Sequence, residues 1–544
     1  MAEELPDTPR PMRRRSRAVL ATGLFIGLLS LGGWWAGREL SPAAPAPRRA
    51  SGGARLFDQV VRAISSRYVD SLDATVIYDK AVAGLLRELK DPYTTFLAED
   101  RLRRLNEQMS GTYTGVGLQM DVRESWPTVI EPITGGPSWK AGIIAGDRLV
   151  KISGVSTKGW TRDEASKALR GPPGSSVSFD VERADQRLSV TVRRNAVHLN
   201  AVTRVTLLPN MVGYVDVNVF NQSTAAELKA AVDSLMQKGA RSLIIDLRGN
   251  PGGLLEQGVG VAELFLDPGQ SIVELRARPG QPPQTISDTL VQRWPTLPLA
   301  VLIDKGSASA SEIVAGALQD HDRALVVGTT SYGKGSAQNV YPLVSGGALR
   351  LTTARWFTPA GRSISKPRPR DPSDEPDDNN GVALPSDTLK PKFRTDAGRS
   401  VLGGGGITPD VVAGDSTTPV QVQLLARAMG KRLADYRDGL AREAATMKSH
   451  MKSPNDPVTK EMLDAVYQNL LNRKVAPDRK TFDNASLWVA RSLGYEMTRL
   501  AFGPDAEFLR RAADDSVLQR AAMILQGAKM PAQVFGAGPV VAPK

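Results

Sequence analysis

The stretch PLAVLIDKGSASASEIVAGALQD, residues 298–320, decides how this chain is read. An apolar run ends at Asp304, a turn of small residues follows, and a helix-like segment continues to Asp320. The same alternation surrounds it. MVGYVDV (211–217) precedes a helical pattern at 224–238, SLIIDLRG (242–249) precedes another at 254–266, and RALVVG (323–328) follows the third helix. Apolar strands alternating with helices point to a layered α/β domain.

The turn between strand and helix carries three serines, Ser307, Ser309 and Ser311. A second block, SYGKGSAQ (331–338), puts Lys334 on a glycine-flanked turn. A serine at such a turn, with a lysine nearby, suggests a nucleophile with an amine base. The hydroxyl is a poor nucleophile unless a base takes its proton and donors hold the oxyanion. Lysine serves as that base only if its pKa falls from about 10.4 towards about 7–8, which burial achieves by penalising the ammonium. Each feature also has a structural reading. Any of the serines could cap the following helix, and a glycine-flanked lysine is commonly a solvated turn residue.

These blocks resemble the C-terminal processing peptidases, the tail-specific serine proteases. The resemblance extends to DPYTTFL (91–97), TYTGVGLQM (112–120), GPSWKAGIIAGDRLVKISG (136–154), DLRGNPGGLL (246–255), LRLTTARWFTPAGRSI (349–364) and GITPDV (406–411), in the family's order. It implies a multidomain α+β protein: a crotonase-like or Clp-like α/β protease core with an inserted PDZ domain, N-terminal helices and a C-terminal helical accessory domain. It implies Ser309 as nucleophile, Lys334 as base and Gln338 as the residue orienting the lysine amine. The oxyanion donors would be the backbone N–H groups of Ala310, at a helix start where the dipole favours negative charge, and of Gly253 in the Asn250-Pro251-Gly252-Gly253 turn. Arg170 stands where related enzymes couple the PDZ domain to the core. The PDZ carboxylate-binding loop would be Gly115, Val116, Gly117 and Leu118, whose glycines let N–H groups converge on a tail carboxylate while the peptide adds as a strand.

Two other catalytic patterns are weaker. His321 follows Ser309 at the far end of the same helix, about 15 Å from its hydroxyl at 1.5 Å rise per residue, so a serine–histidine triad does not fit. Ser331 and Lys334 spell SxxK, as in penicillin-binding enzymes, but no KTG triplet accompanies them.

Length and composition bound the rest. The 544 residues suggest several domains. The chain has no cysteine and three histidines, which excludes disulfides, thiolate catalysis and a cysteine zinc site. No metal or cofactor is expected. The net charge of +12 lies partly in N-terminal arginines, with no basic helix face interleaved with aromatics, so nucleic acid is not an expected partner.

The N-terminus reads as a basic cytoplasmic segment (1–17), then an uncharged run (18–37) ending near Trp34 and Trp35 that is either a transmembrane signal anchor or a signal peptide. A Pro/Ala/Gly-rich linker (38–53), an N-terminal helical region (54–110), the PDZ domain (111–195), the protease core (196–415) with an insertion at 366–402, and the helical domain (416–544) complete the layout. The whole predicts a serine endopeptidase of the bacterial cell envelope, catalytic part outside the inner membrane. Its partners would be proteins with exposed apolar C-terminal tails, with an activator or adaptor protein and a second copy of the chain as further candidates. The alternative is a catalytically silent PDZ-based periplasmic adaptor.

Overall fold

The computed structural model describes residues 50–183, 186–344, 346–366, 390–414 and 419–536. The signal anchor or signal peptide read at 18–37 and most of the insertion at 366–402 lie outside them. No helix among the described residues is long and apolar enough to cross a membrane. The chain divides into two compact units, the first ending at Leu85. The described part of that first unit is helical. Helix Ala50–Arg67 starts ahead of the boundary read at residue 54, helix Ala74–Glu88 begins within the unit, and the Phe57 and Tyr78 rings meet at 6.1 Å. Leu56, Val60 and Leu85 keep much of their apolar surface exposed.

The second unit is built on a six-stranded sheet in the order 202–208, 212–217, 242–246, 299–303, 325–328 and 411–412. The first pair is antiparallel and the rest are parallel. SLIID and LAVLI are buried at every position, as parallel strands covered on both faces must be. Period-two alternation sorts their side chains between two cores. Val215, Ile245, Val301, Ile303 and Val326 pack with helices Thr224–Gln237, Leu255–Glu263 and Ala310–Asp320. Tyr214, Ile244, Ala300, Leu302, Leu325 and Val327 pack instead with Ala512, Val517, Leu518, Ala521 and Leu525. Helix Ser516–Gln526, from the part read as accessory, therefore covers the second face of the catalytic sheet. The preceding helices form their own core around Tyr436, Leu440, Val466, Phe482, Val489 and Leu493.

A second sheet joins strand Thr95–Leu97 to the long strand Ala348–Phe357, which also pairs with Ser336–Pro342 and Ser271–Arg276. The PDZ region has a separate core of Val116, Val129, Leu149, Ile152, Phe179 and Val181. Its six-stranded sheet has Leu118–Arg123 at one edge. The short ladder of Thr112–Gly115 with Asn195–His198 joins the two ends of this region where it enters and leaves the chain.

Candidate active site

Three neighbouring parallel strands deliver the candidate groups at their carboxyl ends, where open α/β sheets place their functional loops. Strand Ser242–Asp246 leads into the Asn250–Gly253 turn. Strand Leu299–Ile303 leads to Ser309, and strand Leu325–Gly328 leads to Lys334.

The three serines differ. Ser307 and Ser311 are fully buried, and their hydroxyls donate to the carbonyls of Leu247 (2.7 Å) and Asn250 (3.0 Å). They fasten the serine turn to the glycine turn. Ser309 is partly exposed and sits at the start of helix Ala310–Asp320 with φ 55° and ψ −114°. For a non-glycine residue that left-handed backbone is uncommon, and such strain concentrates at functional sites.

The glycine turn presses against it. Asn250 is fully buried; its Nδ2 donates to Val217 O at 2.6 Å, its Oδ1 accepts from Gly252 N–H at 2.8 Å, and its carbonyl accepts from Ala308 N–H at 3.0 Å. A methyl built on Gly252 (φ +91°) would lie 2.6 Å from Ala308 O and 2.8 Å from Ser309 Cβ, so only glycine allows this approach. Phe220 bridges to Gly253 in parallel fashion: Phe220 N–H donates to Gly252 O and Leu254 N–H donates to Phe220 O. That pattern uses the groups flanking Gly253 and turns Gly253's own N–H to the opposite side. Ala310, as the first residue of its helix, has an N–H with no intrahelical acceptor.

Lys334 is held by its surroundings more than by an ion pair. Its ammonium faces the Tyr93 ring at 5.2 Å from the centroid, and its carbonyl accepts from Trp356 Nε1 at 3.1 Å. Burial pushes its pKa below the ordinary lysine range, and the Arg350 guanidinium adds to that; Glu312 and Asp91 pull weakly the other way. Arg350 also donates to Tyr93 O at 3.2 Å. Gln338 lies on strand Ser336–Pro342, beside a register shift between Ala337 and Gln338. Its Nε2 donates to Ser336 Oγ at 2.9 Å and Thr352 Oγ1 at 3.4 Å; among the described residues no hydrogen bond joins it to Lys334.

Glu312, fully buried, was not anticipated. Its Oε1 accepts from Ser331 Oγ (2.6 Å) and Gly333 N–H (2.6 Å), and its Oε2 from Lys334 N–H (3.0 Å) and Ser309 N–H (2.8 Å). Burial nevertheless pushes its pKa up, against the pull of those donors. A sequence signal existed. From Ile313 to Leu318 the helix is built only of small and apolar residues, and a helix apolar all round is buried, so an acid in its first turn had to be buried and partnered.

The rival patterns dissolve in the structure. Ser331 is buried, donating to Glu312 and accepting from Ile407 N–H at 2.6 Å. His321 is at the far end of the helix, its two ring nitrogens 2.7 Å from Asp396 Oδ2 and from Ser271 O.

In the PDZ region the carbonyls of Val116 and Gly117 accept from Ser138 N–H (2.9 Å) and Ile133 N–H (3.0 Å). Burial raises the pKa of the Tyr113 phenol. Edge strand Leu118–Arg123 is placed for strand addition. Arg170, at the end of helix Arg162–Leu169, pairs with Glu107 and lies over the Tyr113 ring at 5.0 Å. Glu107 belongs to helix Glu99–Ser110, which directly follows strand Thr95–Leu97 and Tyr93. One short segment thus runs from the Arg170 contact to the ring facing Lys334. Among the described residues no acid or histidine cluster could hold a metal ion.

Comparison with known proteins gives the family of the chain. The model of peptidase family S41 matches residues 211–370, and a PDZ domain model matches residues 128–183. The carboxy-terminal processing protease CtpA of Bacillus subtilis is 33% identical over 323 residues, covering 59% of this chain and 69% of the relative. The carboxy-terminal-processing protease of Bartonella bacilliformis is 36% identical over 314 residues, covering 57% and 71%. Among solved structures, the photosystem II D1 C-terminal processing protease is 31% identical, with a TM-score of 0.32, covering 58% of this chain and 93% of that one.

Proposed function

Because the chain belongs to the carboxy-terminal processing proteases of peptidase family S41 and is a serine-type peptidase carrying a PDZ domain, we propose that it cuts exported proteins with exposed apolar C-terminal tails through a Ser309–Lys334 dyad. The observation that carries the reading is the contrast within the serine turn. Ser307 and Ser311 are bound to main-chain carbonyls, whereas Ser309 holds a left-handed turn and shares the Glu312 carboxylate with Lys334, a lysine whose pKa is lowered by burial.

Neutral Lys334 takes the Ser309 proton as the oxygen attacks the peptide carbonyl, then returns it to the leaving amine. The N–H groups of Gly253 and Ala310 receive the oxyanion, helped by the helix dipole. Gln338, fixed through Nε2 to Ser336 and Thr352, turns its amide oxygen to accept from the amine and orient its lone pair. The Gly115–Leu118 loop takes the tail carboxylate, and the adjacent edge strand pairs with the residues before it. Tethering then raises the local concentration of the cleavage site, with Arg170 transmitting occupancy through Glu107 and the segment leading to Tyr93. The arginines before the uncharged run at 18–37 support a location in the bacterial cell envelope, with the catalytic part outside the inner membrane.

A loosely folded reporter, with and without an apolar tail, tests this. Tail-dependent cleavage that disappears in Ser309→Ala and in Lys334→Ala is expected. Tail-independent cleavage, or full activity of either variant, would refute it.

A further inference from the structure

Glu312 is a fully buried carboxylate held by four donors, with no counter-ion at hydrogen-bond distance among the described residues. A helix N-terminus explains only one of those bonds, from Ser309 N–H in its own first turn. The other three come from a different loop, the one that carries Lys334. Three of the four donors are backbone N–H groups, which cannot turn round to accept. An ionised carboxylate offers acceptor sites for all four, while an amide must point its NH2 at two of them. A shorter aspartate would withdraw both oxygens by about one C–C bond, roughly 1.5 Å. Residue type, length and charge are thus set by two loops at once.

The link continues outward. Ser331, one of the donors, receives Ile407 N–H at 2.6 Å, and Tyr332 N–H donates to Ser307 O at 2.9 Å. The lysine loop is therefore laced to the serine turn along its length, with Glu312 at the centre.

We propose that Glu312 is a positioning residue: by binding the backbones of Ser309 and Lys334 with one carboxylate, it sets the distance and approach of the nucleophile to its base. The inference rests on the Ser309–Lys334 reading above. Displacing a reacting group by about 1 Å costs on the order of 10²-fold in rate, and these bonds are what resist it here.

The test compares wild type with Glu312→Gln, Lys334→Ala and the double variant, following cleavage of the tailed reporter and phosphonylation of Ser309 by a small fluorophosphonate. Glu312→Gln should lower kcat about 10²-fold, with KM and tail-peptide affinity within about twofold because the PDZ region has its own separate core, a split that general loosening would not produce. Adding it to Lys334→Ala should slow phosphonylation little further, because residues acting as a unit are non-additive. Wild-type kcat in Glu312→Gln, or losses that multiply in the double variant, would overturn the proposal. Full activity of Lys334→Ala would instead overturn the dyad itself. If Glu312→Gln melts far below the wild type, Ser331→Ala, which removes one donor, decides the matter. A kcat lowered about three- to tenfold at unchanged KM supports the proposal, and a wild-type kcat overturns it.

Discussion

Replacing Gly252 by alanine puts a methyl 2.6 Å from Ala308 O, 2.8 Å from Ser309 Cβ and 2.9 Å from Ala310 N. Ordinary contacts at these atoms need about 3.5 Å, so the glycine turn must retreat by roughly 0.7 Å or more. Overpacking of this kind costs about 1–3 kcal/mol, and alanine at φ +91° adds about 1–2 kcal/mol. A destabilisation of about 2–5 kcal/mol follows if the turn stays put. If it moves instead, it carries the Gly253 N–H off the oxyanion position, at a cost of about 10²–10³ in kcat. Gly269→Ala is the matched control. Gly269 has the same φ of +91°, and nothing lies within 4 Å of its added methyl, so it should lose only the backbone term and keep wild-type kcat. Reporter cleavage and thermal unfolding of both variants read the two effects. Equal kcat together with equal unfolding temperature for Gly252→Ala and Gly269→Ala would refute the placement of the glycine turn against the nucleophile.

Other outcomes follow from the same geometry. Lys334→Met should abolish cleavage yet raise the unfolding temperature, because it removes a buried amine whose charged form is penalised. The native pKa of Lys334 lies below the unfolded value of about 10.4, so the unfolded chain binds more protons and wild-type stability rises with pH between those two values. The Met variant should lose that slope in urea unfolding measured across pH, and an unchanged slope would contradict the burial. Since the neutral amine is the base, kcat/KM should rise with pH through the Lys334 pKa, and Arg350→Gln, which removes a cation opposing protonation, should move that rise to higher pH. A shift to lower pH would contradict it. Arg170→Ala should weaken cleavage of tailed substrates while leaving phosphonylation by a small reagent less affected; equal loss of both would point to damage in the core.

Much of this was legible before any coordinates. Continuous apolar strands followed by helices announced the α/β core, while Ser309, Lys334 and the glycine turn were singled out by the resemblance of their blocks to the C-terminal processing peptidases, since a serine or a lysine on a turn is in itself more often a cap or a solvated residue. Three things were not legible. Arg350, which helps burial to lower the lysine pKa, and Tyr93, whose ring faces the ammonium, come from distant segments, and only folding brings them to Lys334. Glu312 sits inside the serine block itself, on a helix with no solvent face whose two acids, Glu312 and Asp320, are both buried, but its partners lie on a loop about twenty residues further along the chain. The role of helix Ser516–Gln526 was also hidden, although a physical argument pointed to it. Strands buried on both faces need a second cover, and Thr224–Gln237, Leu255–Glu263 and Ala310–Asp320 all lie on one side.

The most direct test of the central claim is to label the protein with a fluorophosphonate and locate the adduct by peptide mass spectrometry. The dyad predicts a single adduct on Ser309, absent in Ser309→Ala, strongly slowed in Lys334→Ala, and faster as pH rises through the lysine pKa. An adduct on Ser307, Ser311 or Ser331, or labelling of Lys334→Ala at the wild-type rate, would contradict it.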